Sequence, residues 1–197
     1  MIYLGCSPIE RHGKHLSLGM SNYVLFVGNR GAYKNFNWMF NAISDFLKEK
    51  NMNLICAGGG VFSEDEIKMF TSVNLYSKVH FIDISNDDIL NNLYANAFCF
   101  VFPSLYEGFG IPILESFTNS CPVVLSKASC FPEIAGSAVL YFELDKVESL
   151  VEQLNVLYYD KDLRNYLIKN SNEVLKKYSW TKMVDEHMLV YNSILDR

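Results

Sequence analysis

The sequence predicts a doubly wound α/β fold, a parallel sheet of about six strands with helices on both faces. Three observations predict it. Short runs rich in β-branched and aromatic residues alternate with segments of helical period. Several of those runs are apolar throughout, as strands covered on both faces are. Single helices separate the strands, which implies parallel pairing through right-handed crossovers.

In chain order, residues 1–22 contain Gly, Ser and His without sustained periodicity and read as a linker or extended lead-in to a domain spanning 23–197. The predicted strands are Tyr23–Val27, Asn53–Ala57, Val79–Ile82, Phe98–Phe102, Val123–Ser126 and Val139–Phe142. After the first, Phe36, Phe40, Ile43 and Leu47 recur at three- and four-residue spacings behind Asn35, a capping residue type, which marks an amphipathic helix. Ser85 with Asp88 has the form of a capping box opening a helix that carries Ile89, Leu90 and Leu93. Residues 146–195 carry three further helical stretches, the last opening at Ser179 and bearing Met183, Met188, Tyr191 and Leu195. No internal repeat, low-complexity tract or second core is visible.

Composition narrows the function classes. With 197 residues, 50% of them hydrophobic, the chain can bury one large core, which excludes disorder. A net charge of -5 leaves no basic footprint for nucleic acid. The apolar run around Ala97 to Pro103 falls far short of the roughly 20 residues that span a bilayer, so no transmembrane segment is expected. Nothing at the N-terminus resembles a secretory signal, and the expected location is the cytoplasm, with a peripheral position at the inner membrane face. The five cysteines, Cys6, Cys56, Cys99, Cys121 and Cys130, lack C-x-x-C spacing and read as reduced packing residues. His12, His15, His80 and His187 form no metal-site pattern, and no metal is expected.

Ligands of doubly wound sheets lie beyond the carboxyl ends of the strands, so the loops to inspect begin at Gly28, Gly58, Asp83, Pro103 and Ser126. The first reads Gly28-Asn29-Arg30-Gly31-Ala32-Tyr33-Lys34-Asn35 and places two cations before a helix start. A helix N-terminus carries partial positive charge, so Lys34 there is unfavourable unless an anion lies nearby, and free N–H groups of the first turn can donate to phosphate oxygens. Arg30 and Lys34 as solvated surface charges are the plain alternative. The loop fits neither a P-loop nor a dinucleotide fingerprint.

The fourth loop is more specific: Pro103-Ser104-Leu105-Tyr106-Glu107-Gly108-Phe109-Gly110-Ile111-Pro112-Ile113-Leu114-Glu115. Pro112 suits a first helical position, which puts Ile111 at the N-cap and leaves N–H donors open. Gly108 and Gly110 free the backbone around Phe109, while Glu107 falls in the loop and Glu115 about one turn into the helix. Two carboxylates reaching one pocket suit hydroxyl pairs on ribose or hexose, because charged acceptors bind them more strongly than neutral ones. A structural glycine turn with two helix-stabilising glutamates is the alternative.

The segment Glu107 to Glu115, with the preceding Phe-Pro-Ser and following Cys121-Pro122-Val123-Val124, resembles the paired-glutamate signature of retaining glycosyltransferases of family 4, which have the GT-B fold. The similarity runs from about Tyr23 to the C-terminus and includes Val-Gly with Lys34-Asn35, Gly58-Gly59-Gly60, Leu93-Tyr94-Ala95-Asn96-Ala97 and Pro132-Glu133-Ile134. In such enzymes two Rossmann-like domains face each other. This chain is similar to the C-terminal, donor-binding half, and its implied partners are a nucleotide sugar, a saccharide or lipid-linked acceptor and an N-terminal GT-B domain.

The resemblance implies roles. Glu107 would meet the transferring sugar near its anomeric centre, and Glu115 would take the ribose hydroxyls. Gly108, Phe109, Gly110 and Ile111 would offer backbone to phosphate and sugar oxygens, while Arg30 and Lys34 would hold the diphosphate. Gly28, Asn35, Gly58 and Ile84 complete the implied nucleotide-sugar site. Neither cofactor nor metal is implied, since the cations do the work of Mg²⁺. The family often has Arg directly after the glycine at Gly28, where this chain has Asn29 with Arg30 one place later, and a glycine where this chain has Asp83. The implied activity is retaining glycosyl transfer in polysaccharide or glycoconjugate biosynthesis. Alternatives are a nucleotide-sugar-binding module inactive by itself, or another GT-B enzyme such as a sugar-nucleotide epimerase or a glycogen-type phosphorylase.

Overall fold

In a computed structural model of the chain, which describes residues 2–6 and 22–195, six parallel strands form one sheet: β1 Tyr23–Val27, β2 Asn53–Ala57, β3 Val79–Ile82, β4 Cys99–Phe102, β5 Val123–Ser126 and β6 Leu140–Phe142. Their order is β3-β2-β1-β4-β5-β6, so the winding reverses between β1 and β4. The helices are α1 Phe36–Glu49, α2 Glu64–Ser72, α3 Asp87–Asn96, α4 Ile111–Thr118, α5 Phe131–Ala135, α6 Val147–Tyr159, α7 Lys161–Leu175 and α8 Trp180–Leu195.

The continuous apolar strands have the expected cause. Alternate residues of each central strand enter two separate cores. Tyr23, Leu25 and Val27 of β1 join Phe100, Phe102, Val123 and Leu125 against α3, α4 and α5. Val24 and Phe26 join Cys56, Cys99 and Val101 against α1, Phe70 of α2 and Leu150, Leu154 and Leu157 of α6. Every residue of β1 is buried, which an antiparallel sheet with one wet face would not give. The cysteines are free thiols; Cys56, Cys99 and Cys121 are buried, and Cys6 and Cys130 are half-buried.

Three helix starts differ from the sequence reading. Asn35 stands at the N-cap of α1 but in the left-handed region, φ 56°, and its side chain caps nothing. The start of α3 is capped by Asn86, whose Oδ1 accepts from the Ile89 N–H at 3.0 Å, so Ser85 and Asp88 form no capping box. Asn86 is the nearer residue that can turn its acceptor back into the first turn. The N-cap of α4 is Gly110, not Ile111: its φ of 88° needs glycine, and Pro112 moves to the second helical position. A capping box does occur at α2, between Ser63 and Glu66.

Residues 7–21 of the expected lead-in lie outside the described residues. Residues 2–6 pack on the domain: Cys6 bridges to Ser179 in parallel, and Tyr3 meets Tyr178 edge-on at 5.6 Å. Ser179 opens α8 as expected, its Oγ accepting from Lys182 N–H at 3.4 Å. Among the described residues, no helix is long and apolar enough to cross a membrane.

Candidate functional site

Reversal of strand order makes the loops after β1 and β4 diverge, opening a crevice at the carboxyl edge. The two loops that carry the sequence signals flank this crevice. They are tied directly: Leu105 N–H donates to the Tyr33 carbonyl at 2.8 Å.

Lys34 ends the short 3₁₀ turn Ala32–Lys34, and its Nζ lies 2.7 Å from Oε1 of Glu107. Both side chains are largely withdrawn from water, at 10% and 16% exposure. The ammonium also sits 4.8 Å from the centre of the Phe102 ring, and Gly28 passes beneath the lysine tip, where a Cβ would meet Nζ at 3.7 Å. Glu107 Oε1 is buried and, among the described residues, has no hydrogen-bond partner beyond this ion pair. Ser104 Oγ, at the foot of the same loop, is buried without any partner among the described residues. Unsatisfied polar atoms are rare in interiors and concentrate at functional sites.

From Lys34 the contacts continue along the sheet edge. Gly58 approaches Gly28 to 3.9 Å from its Cβ position and Ile84 to 3.5 Å, so the loops after β1, β2 and β3 form one surface. Asn35 closes the turn at the start of α1. Its side chain makes no capping hydrogen bond, and the first turn of a helix is a place where backbone amides can take an anion.

Arg30 departs from its expected place. Its guanidinium turns to the loop after β2 and to α2, with Nε 2.5 Å from Glu66 Oε1 and further bonds to the carbonyls of Gly58, Gly60 and Val61. It also lies 4.9 Å from the Phe62 ring centre. The side chain is 6% exposed, so Arg30 is a buried strut between loops and not a partner of Lys34 at the crevice. Gly59 permits this contact, because a Cβ there would meet the Gly28 carbonyl at 2.8 Å.

The 107–115 segment is held at several points. Gly108 has open space around its Cβ position, and Ile111 is exposed. Phe109 presents an aromatic anchor as well as backbone: its ring packs on Tyr178 at 5.8 Å and Tyr3 at 6.4 Å. Fewer amides are open at the start of α4 than the sequence suggests, because Pro112 has none and the Ile113 N–H donates to the Gly110 carbonyl.

Glu115 sits one turn into α4, where Oε2 accepts from the Tyr94 hydroxyl at 3.2 Å. Burial pushes its carboxyl above the ordinary value; the Tyr94 hydrogen bond opposes that shift and the nearby Asp87 adds to it. Tyr94 is fully buried, and burial likewise holds its phenol well above the usual range. A carboxylate raised in the folded state stabilises the fold below its ordinary value of 4.5, and that contribution is lost as pH rises through the raised value. Glu115→Gln is therefore expected to gain urea stability relative to the parent between about pH 4 and 7.5, with identical differences at both pH values as the contrary result.

Sequence reasoning gave no separate role to Tyr94, Tyr33 or Ser129, whose contacts run through single hydroxyls or carbonyls that no spacing rule picks out. Among the described residues, no group of three or more His, Cys, Asp or Glu could hold a metal ion.

A six-stranded parallel sheet whose strand order reverses between β1 and β4, with a buried lysine paired to a loop carboxylate near that point, defines a Rossmann-like α/β domain. Residues 9–174 match the family "Glycosyl transferases group 1", and the chain belongs to that family. It is 29% identical over 176 residues to an uncharacterized glycosyltransferase of Methanocaldococcus jannaschii, covering 88% of this chain and 45% of that protein. It is 27% identical over 189 residues to O-antigen chain mannosyltransferase B of Escherichia coli, covering 94% of this chain and 49% of the relative. The fold superposes on TarM of S. aureus, solved with UDP, with a TM-score of 0.80 at 16% identity, over 97% of this chain and 39% of that one. The chain thus spans about half the length of the curated relatives it matches.

Proposed function

We propose that this chain binds a nucleotide-diphosphate sugar and takes part in transferring its glycosyl group to an acceptor hydroxyl with retention, as a hexosyltransferase-like enzyme of polysaccharide or glycoconjugate synthesis. The observation that carries the reading is the Lys34–Glu107 pair at the switch-point crevice, 2.7 Å apart and shielded from water. A diphosphate entering there meets the Lys34 ammonium and the uncapped amides of α1. Glu107 then lies beside the sugar that the diphosphate carries, and Glu115 is available to ribose hydroxyls further along α4. Gly28, Gly58 and Ile84 form the wall for nucleoside, and Gly108–Ile111 offer main chain to phosphate and sugar oxygens.

As the glycosidic bond breaks, negative charge grows on the departing phosphate. A cation about 4 Å from that charge contributes on the order of 4 kcal/mol at an effective dielectric near 20. In this reading no metal is required, and Arg30 braces the site from behind. A facing N-terminal GT-B domain supplies the acceptor wall, at the cytoplasmic side of a membrane when the acceptor is lipid-linked. The relative named for UDP favours a uridine donor for the first trial.

The test is a thermal-shift screen with UDP, GDP and ADP and their sugars. At least one nucleotide is expected to raise the melting temperature, and none doing so removes the donor site. A second reading is a binding module that holds the donor without turnover of its own. Donor consumption with saccharide or lipid acceptor extracts by this chain alone would reject it.

A further inference from the structure

Ser129 lies in the loop between β5 and α5, exposed, with its backbone in the left-handed region at φ 53°. A residue with a Cβ enters that region at a cost of about 1–3 kcal/mol unless its surroundings impose it. Here the pose places Oγ against the main chain of Glu107. The hydroxyl donates to the Glu107 carbonyl at 2.8 Å and accepts from the Glu107 N–H at 3.4 Å. The adjacent Cys130 Sγ donates to the same carbonyl at 3.3 Å.

Glu107 is thus gripped at both ends, its carboxylate by Lys34 and its peptide by Ser129. The grip matters because a glycine comes next in the chain. Gly108 has nothing within 4 Å of its Cβ position, and the nearest firm anchor beyond it is Phe109 against Tyr178. Without the Ser129 hydroxyl the Glu107 peptide can pivot on that glycine, and the carboxylate moves with it. Displacements of about 1 Å in a positioned group can cost on the order of 100-fold in rate.

We propose that Ser129 is a positioning residue that fixes where Glu107 meets the sugar of the donor; this rests on the donor-site reading above. Its loss weakens recognition of the sugar while leaving recognition of the diphosphate, which Lys34 and the α1 amides hold. A purely structural loop contact would change the melting temperature and leave the ratio of the two affinities untouched.

The experiment is titration calorimetry on the full chain and on Ser129→Ala and Ser129→Gly, with UDP, GDP, ADP, UDP-glucose, GDP-mannose and ADP-glucose. Alanine keeps the strained backbone and glycine relaxes it, so the two variants move stability in different directions while both lack the hydroxyl. For the nucleotide that the parent binds, both are expected to keep the diphosphate affinity within about threefold and to lose roughly fivefold or more in preference for its sugar form. The parent's sugar preference retained in both variants overturns the role of Ser129 alone. No binding of any of the nucleotides by the parent overturns the donor site and this inference with it.

Discussion

Arg30→Met lowers the stability of the fold by about 3 kcal/mol, and its thermal midpoint by roughly 6–12 °C. The guanidinium is 6% exposed, and Glu66, left behind at 13%, loses its counter-charge without gaining water. The carbonyls of Gly58, Gly60 and Val61 lose their donors together, which loosens the loop after β2. The pH dependence carries a signature. Burial raises the Glu66 carboxyl, but Arg30 and Ser63 outweigh that and hold it below 4.5. A lowered carboxylate contributes stability above its ordinary value and loses it as pH falls through the lowered one. The deficit of Arg30→Met is accordingly largest near neutrality and shrinks in acid. Denaturant melts of the variant in neutral and acidic buffer would measure it, and a loss below about 1 kcal/mol would reduce the pair to an ordinary surface contact. Well below the transition, nucleoside diphosphate affinity should fall far less than for Lys34, through the loosened Gly58 loop alone, whereas a loss as large as that expected for Lys34 would return Arg30 to the phosphates.

Arg30 also marks where the sequence stops being informative. The strands were legible because apolar runs of β-branched and aromatic residues have a single cause in a two-faced sheet, and four of the six begin and end where the pattern does. Phe98 and Val139 drop out of β4 and β6, at strand ends where the pattern carries least information. The edge loops followed from the fold class, since a switch point exists in any such winding. Which side of a turn a long side chain takes is another matter. Arg30 and Lys34 are four residues apart in one loop, and only the tertiary placement of Glu66 and Glu107 separates them. Helix caps failed for a related reason: Ser85, Asn86 and Asp88 are all good cap types, and a one-residue choice depends on the approach of the chain. The contacts of Tyr94 and Ser129 were not legible because each is made by one hydroxyl onto a residue more distant in sequence than any local spacing rule covers.

If the proposed donor site holds, Lys34→Met is expected to remove most nucleoside diphosphate binding, by about 2–4 kcal/mol or roughly 30- to 1000-fold, and to flatten the salt dependence of what remains. Methionine keeps the packing over Phe102 and Gly28 while removing the charge. Such a variant alone confounds two effects, because the Glu107 oxygen is buried with no other partner among the described residues, and its isolation destabilises the fold. The double variant Lys34→Met/Glu107→Gln separates them: it should recover much of the lost stability and none of the lost affinity. Glu107→Gln alone removes a negative charge from beside the ammonium, so a bare nucleoside diphosphate should bind it at least as tightly as the parent, while the preference for the sugar form falls. Calorimetry across these variants at two salt concentrations gives all of the required differences. Equal diphosphate affinity for the parent and both lysine variants would show that the cation at the switch point serves the fold and not a phosphate.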